Sequence, residues 1–169
     1  MADSPVASAR TWLRRGQEHE ALGTAAALAE AVHCYDEVIA RLRGPNLEDD
    51  AEARRDLGVA WMNRGNALQK QATPASLSEA VSAYDDAIAV LHPLSIQGPP
   101  SLCNSLGAAW MNRGLALHRQ ANAAAVVEAV QSHRQVVALL QALPLSEASS
   151  YRRNLIAAAE MPYARGIDI

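Results

Sequence analysis

Apolar positions recur along this chain at spacings of three and four residues, the period of a helix with one buried face. Between Leu57 and Leu68, the residues Leu57, Trp61, Gly65 and Leu68 fall on one such face, and between Ala80 and Leu91 the set Ala80, Tyr84, Ala87, Ile88 and Leu91 forms a matching stripe. The pattern predicts an all-α protein of about seven antiparallel helices, over residues 5–22, 25–43, 48–71, 74–91, 101–120, 123–142 and 147–161. Start signals support the division. Thr24, Thr73 and Asn122 each precede a second-helix pattern, where their side chains can accept a bond from an orphaned backbone N–H. Pro74 suits the first helical position, where its missing N–H costs nothing. Stop signals follow at Gly44–Asn46, at His92-Pro93, at Gln97–Ser101 and at Leu143-Pro144.

The helical phrases repeat. AWMNRGNAL at Ala60 returns as AWMNRGLAL at Ala109, and Trp12, Trp61 and Trp110 stand 49 residues apart, as do Gly16, Gly65 and Gly114. The second-helix phrases beginning at Glu30, Glu79 and Glu128 keep the same step. Such a period marks a repeat array in which each unit buries its face against its neighbours. Residues 1–169 therefore read as a single repeat domain with units at about 1–46, 47–95 and 96–144, closed by a half-repeat cap at 145–169. In that last segment Leu155 continues the series Leu57 and Leu106, while Ala159 replaces the tryptophan. A glycine inside a helix costs about 1 kcal/mol against alanine. Its presence at one place in every unit implies close approach by a neighbouring helix.

Composition narrows the function classes. Half of the residues are hydrophobic, there is no Phe, and the formal net charge is −3. No global positive field attracts phosphate backbones, and the acidic residues Glu48, Asp49, Asp50 and Glu52 dilute the charge of Arg54 and Arg55; a second basic pair stands at Arg152 and Arg153. Nucleic acid is not expected as a partner. Charges interrupt every apolar run and MADSPVASAR has no signal-peptide core, so a cytoplasmic protein without a membrane span is expected. Cys34 and Cys103 form no metal-ligand or paired spacing. The five histidines (His19, His33, His92, His118 and His133) show no catalytic spacing, and no phosphate loop is present. The reading is of a protein that is not an enzyme, with no cofactor and no metal.

In these residues the chain resembles the tetratricopeptide repeat family. The resemblance rests on Trp61, Gly65 and Leu68 in the first helix, on Ala80, Tyr84 and Ala87 in the second, on Pro93, and on the NRG phrase at Asn63–Gly65 and Asn112–Gly114. Two features depart from the family pattern: a period of 49 residues in place of the usual 34, and His133-Arg134 where the first two units have Tyr-Asp. The resemblance implies a right-handed superhelical solenoid with longer helices than usual. It also implies a concave groove, lined by the first helix of each unit, that binds a peptide or protein segment.

Taken locally, the groove would be lined by Arg10, Arg14 and Gln17 in unit one, by Met62, Asn63, Asn66 and Lys70 in unit two, and by Met111, Asn112, Leu115 and Arg119 in unit three. Amide side chains both donate to and accept from a peptide backbone. Arg10, Arg14, Lys70 and Arg119 would favour an acidic ligand. Family members that clamp a chaperone's C-terminal carboxylate carry lysines where Leu13, Met62 and Met111 stand here, so only the amides Asn63, Asn66 and Asn112 match that mode. Arg15, Arg64 and Arg113 are instead expected in structural ion pairs with neighbours such as Asp36 and Asp85. The function expected is a protein–protein interaction scaffold. The alternative is self-assembly into homo-oligomers through exposed ends of the array.

Overall fold

The computed structural model describes residues 4–44 and 50–142. They form six helices and, among the described residues, no strand: α1 (Pro5–Leu22), α2 (Ala25–Leu42), α3 (Ala51–Gln71), α4 (Pro74–Gln97), α5 (Pro100–Arg119) and α6 (Ala123–Ala142). The seventh helix expected over 147–161 lies outside the described residues, as does the Leu143-Pro144 stop signal. Each helix packs on the next in chain order, and α1 also touches α3 while α3 touches α5. The odd-numbered helices thus stand as one layer and the even-numbered helices as the other, an arrangement that fits a helical repeat. No helix among the described residues is long and apolar enough to cross a membrane.

The hairpins close as their caps dictate. Thr24 Oγ1 accepts from Ala27 N at 3.2 Å, Thr73 Oγ1 from Ser76 N at 3.1 Å, and Asn122 Oδ1 from Ala125 N at 2.9 Å, so all three expected caps are in place. Ser76 reciprocates, its Oγ accepting from Thr73 N at 3.0 Å to complete a capping box. Between the layers, the Trp-Gly face of each first helix meets the aromatic of its own second helix. A Cβ built on Gly16 would stand 2.6 Å from Tyr35 Cε1, one on Gly65 2.6 Å from Tyr84 Cε1, and one on Gly114 2.7 Å from His133 Cε1. The recurring glycine is therefore the space that the ring occupies. Tyr35, Tyr84, Ala31, Ala80, Val38 and Ala87 are all buried. A Cβ built on Gly58 would likewise stand 2.6 Å from Leu91 Cδ2, a further close approach that the repeat comparison did not single out.

The largest boundary difference from the sequence reading is at the end of the fourth helix. His92-Pro93 was expected to stop the fourth helix, yet α4 runs through Pro93 to Gln97 and ends at Gly98-Pro99. Proline removes one helical hydrogen bond, freeing the carbonyl four residues earlier. Here that carbonyl belongs to Ala89, and both Ala89 and Pro93 are solvent-exposed, so water can take the lost donor's place. Ser95 Oγ, in turn, donates to His92 O at 2.8 Å. With this extension α4 reaches 24 residues and α3 has 21, which accounts for much of the long repeat period.

Candidate functional site

The first-helix layer carries the residues predicted to line a groove, and its construction follows the 49-residue repeat down to single bonds. Lys70 Nζ on α3 lies 2.7 Å from Glu20 Oε1 on α1, and one repeat later Arg119 on α5 donates to the backbone oxygen of Gln69 on α3 at 3.0 Å. Lys70 and Arg119 are in-phase residues, as are Glu20 and Gln69. The same pair of acceptors holds the buried tyrosines. Tyr35 donates to Glu20 Oε2 at 2.8 Å, and the Tyr84 hydroxyl lies 2.8 Å from Gln69 Oε1 and 2.9 Å from Asn66 Oδ1. One phenolic proton serves one of those two oxygens at a time. Burial, reinforced by the Glu20 carboxylate, pushes both phenols well above the usual tyrosine range.

This network claims part of the predicted lining. Asn112 Nδ2 donates to Asn66 Oδ1 at 3.0 Å, joining α5 to α3. Arg10 donates through Nε to Asp56 at 2.9 Å and pairs with Glu52, fixing α1 against α3; both carboxylates raise its pKa. Lys70 is balanced by Glu20. Met62 packs among the apolar clusters around Ile88 and Leu68, and Met111 against Val136. What stays uncommitted is Arg14, Gln17, Asn63 and Leu115: among the described residues none has a hydrogen bond or ion pair, and all but Asn63 are exposed. Arg119 bonds a neutral carbonyl, leaving its charge without an ion pair among the described residues.

Two of the three NRG-type arginines are where the sequence reading put them. Arg64 pairs with Asp36 at 2.7 Å and Glu79 at 3.6 Å, and Arg113 with Asp85 at 2.6 Å and Glu128 at 3.1 Å. Each therefore bridges the preceding second helix and its own. Arg15 forms no such pair among the described residues; its guanidinium lies 5.3 Å from the Trp12 ring centre instead. Glu20 and Gln69, which organise the layer, were absent from the predicted lining. Their in-phase spacing was visible, but their different chemistry hid the common role as acceptors.

Other chemistry is sparse. Among the described residues, no group of three His, Cys, Asp or Glu side chains converges as metal ligands would. The His133 Nδ1 is 2.7 Å from Ala129 O, a helix-internal contact, and burial pushes the Cys34 thiol up. Comparison of the chain with family models, with characterised proteins and with solved structures gave no match.

Proposed function

We propose that the protein is a non-catalytic scaffold of tetratricopeptide-repeat type that binds a peptide or protein segment across the exposed side of α1, α3 and α5. One observation carries this reading. Arg14, Gln17, Asn63 and Leu115 stand on successive helices of one layer with no hydrogen bond or ion pair among the described residues, while their neighbours are locked into a repeated polar network. Rigid spacing with free side chains suits a ligand that brings its own N–H and C=O groups. Contacts of α1 with α3 and of α3 with α5 support a layer curved toward its own exposed side, which is the concave side of such a repeat. The positive charge available to a ligand comes from Arg14 and Arg119, since Lys70 and Arg10 are balanced by carboxylates. A segment with one or two acidic residues fits that balance.

The test uses the full chain with Arg14→Ala, Asn63→Ala and Leu115→Ala together, compared with the parent over an array of immobilised acidic, neutral and basic peptides. Retention of acidic peptides by the parent at modest salt, lost in the triple variant with its circular dichroism and melting temperature unchanged, is the expected result. Equal retention by both proteins, or none by either, removes this face as a binding surface.

A further inference from the structure

The basic pair at Arg54 and Arg55 divides in the folded chain. Arg55 lies 3.5 Å from Asp56 and 3.8 Å from Glu52, and the same two carboxylates hold Arg10, so two cations and two anions close among themselves. Arg54 stands outside that set. Half-buried on the first turn of α3, it has no hydrogen bond or ion pair among the described residues. The Asp50 carboxylate is engaged as the helix cap, accepting from Glu52 N at 2.9 Å and from Ala53 N at 3.1 Å. The repeat does not call for a cation at this place, since the residues in phase with Arg54 are Pro5 and Cys103.

Arg54 lines a groove of about 590 Å³ between the first turn of α3 and the α4–α5 turn, walled by Pro93, Leu94, Pro99 and Leu102. Unequal helices make it. With 24 residues against 21, α4 overhangs the start of α3 by about 4.5 Å at the helical rise. The other two hairpins have equal arms, 18 residues each in α1 and α2 and 20 each in α5 and α6. The overhang carries Leu94, which packs on the cluster of Leu91, Leu102 and Leu106. Gly98 then closes the turn so tightly that a Cβ there would stand 2.5 Å from Leu102 Cδ1. Leu102 is buried and Leu94 half-buried, while Pro93 and Pro99 are exposed, so the groove is apolar at depth and open at its rim.

These features select a ligand. An unpaired guanidinium beside apolar walls complements one carboxylate next to an apolar group, whereas the α3 N–H groups that would help to hold a phosphate already bond Asp50. The walls offer little to an extended peptide backbone: Pro93 and Pro99 have no N–H, and Pro99 O accepts from Leu102 N at 2.9 Å. A bound segment must satisfy its own backbone, as a helix does. A free apolar acid would need enclosure over most of its surface, which the exposed rim does not provide. We propose that this groove binds an acidic amphipathic helix of a partner protein, its carboxylate paired with Arg54 and an apolar side chain one turn away seated on Leu94 and Leu102. The site uses none of Arg14, Gln17, Asn63 or Leu115 and does not rest on the peptide-binding reading of the α1, α3 and α5 layer.

Amide NMR of the isotope-labelled full chain tests it. The probe is a blocked, alanine-rich helical peptide with Leu and Glu four residues apart on one face, titrated beside its Glu→Gln counterpart. Saturable shifts should appear in the amides of 51–55 and 94–102 with the Glu peptide, and the Gln peptide should bind about fivefold more weakly. Arg54→Gln should weaken the Glu peptide by the same factor without moving the melting temperature, since that side chain bonds nothing within the described fold. Arg55→Gln, whose charge is already paired, should lose less. The shifts should persist in the Arg14→Ala, Asn63→Ala, Leu115→Ala variant, which separates this site from the first-helix face. Equal binding of the two peptides, no saturable shift at these amides, or shifts lost in that triple variant would overturn the proposal. So would octanoate occupying the same amides more tightly than the Glu peptide, which would assign the groove to a free fatty carboxylate.

Discussion

Units two and three share their phrases almost letter for letter, yet their hairpins are tied together differently. In unit two the ring that fills the space beside Gly65 is Tyr84, whose hydroxyl reaches Gln69 and Asn66 on α3 and, through Asn66, Asn112 on α5. In unit three the ring beside Gly114 is His133, bonded to Ala129 O within its own helix, and the residue in phase with Gln69 is the exposed His118. The apolar part of the contact survives the exchange. The phenol that reaches Gln69 and Asn66 in unit two has no counterpart at that place in unit three. The difference teaches that packing and register are separable here: ring and glycine build each hairpin, while the phenol and its amide acceptors bind hairpins to one another.

The comparison breaks most visibly by removing the ring. Tyr84→Ala should lower stability by about 3–5 kcal/mol, the range for deleting a buried aromatic, and His133→Ala by clearly less; chemical denaturation of both variants measures the gap. Equal losses would mean that the tyrosine's network contributes nothing. Filling the space is the next largest change. Gly65→Ala places a methyl 2.6 Å from the buried Tyr84 ring and should cost about 1–3 kcal/mol by overpacking, despite alanine's better helix propensity. Gly114→Ala, against the smaller imidazole, should cost less in the same assay.

Tyr84→Phe isolates the hydroxyl. It leaves the buried Gln69 Oε1 short of a donor, while Asn66 Oδ1 keeps its bond from Asn112, and should destabilise by about 1–2 kcal/mol, with the Gly65 contact intact. A pH dependence follows from the same groups. Because Tyr35 and Tyr84 titrate higher in the folded chain than in the unfolded one, folding keeps their protons; their contribution is complete below the unfolded value of about 10 and declines as pH rises above it. Melting temperature should therefore fall between pH 9.5 and about 11.5, with a shallower fall in Tyr84→Phe. The smallest effect is expected at the rim. Arg64→Ala and Arg113→Ala each remove ion pairs to half-exposed carboxylates and should cost about 1 kcal/mol or less, with Arg113 the larger because it also donates to buried Ser132 at 2.9 Å.

Much of the fold was legible because it is local and repeated. Thr24, Thr73 and Asn122 announce helix starts by chemistry that acts over three residues, and the glycine–ring pairing is visible wherever a period brings Gly65 and Tyr84 back as Gly16 and Tyr35. Pro93 was misleading for the opposite reason. Whether a proline ends a helix depends on where the freed carbonyl points, and the solvent exposure of Ala89 belongs to the packed molecule. The candidate groove was legible in outline only. Asn63 and Asn112 are in-phase residues of the same type, but Asn112 is held by Asn66 while Asn63 has no bond among the described residues.

The sequence by itself determined an all-α chain, a period of 49 residues, the caps, and the face that each helix buries, since these follow from spacing and from groups a few residues apart. Only the tertiary structure decided which polar side chains are consumed between helices and which remain for a ligand. Lys70 finds Glu20, Arg10 finds Asp56, and Arg14 finds nothing among the described residues. Those outcomes depend on how far one helix stands from the next, a distance set by the packed rings and glycines, and no spacing along the chain encodes it.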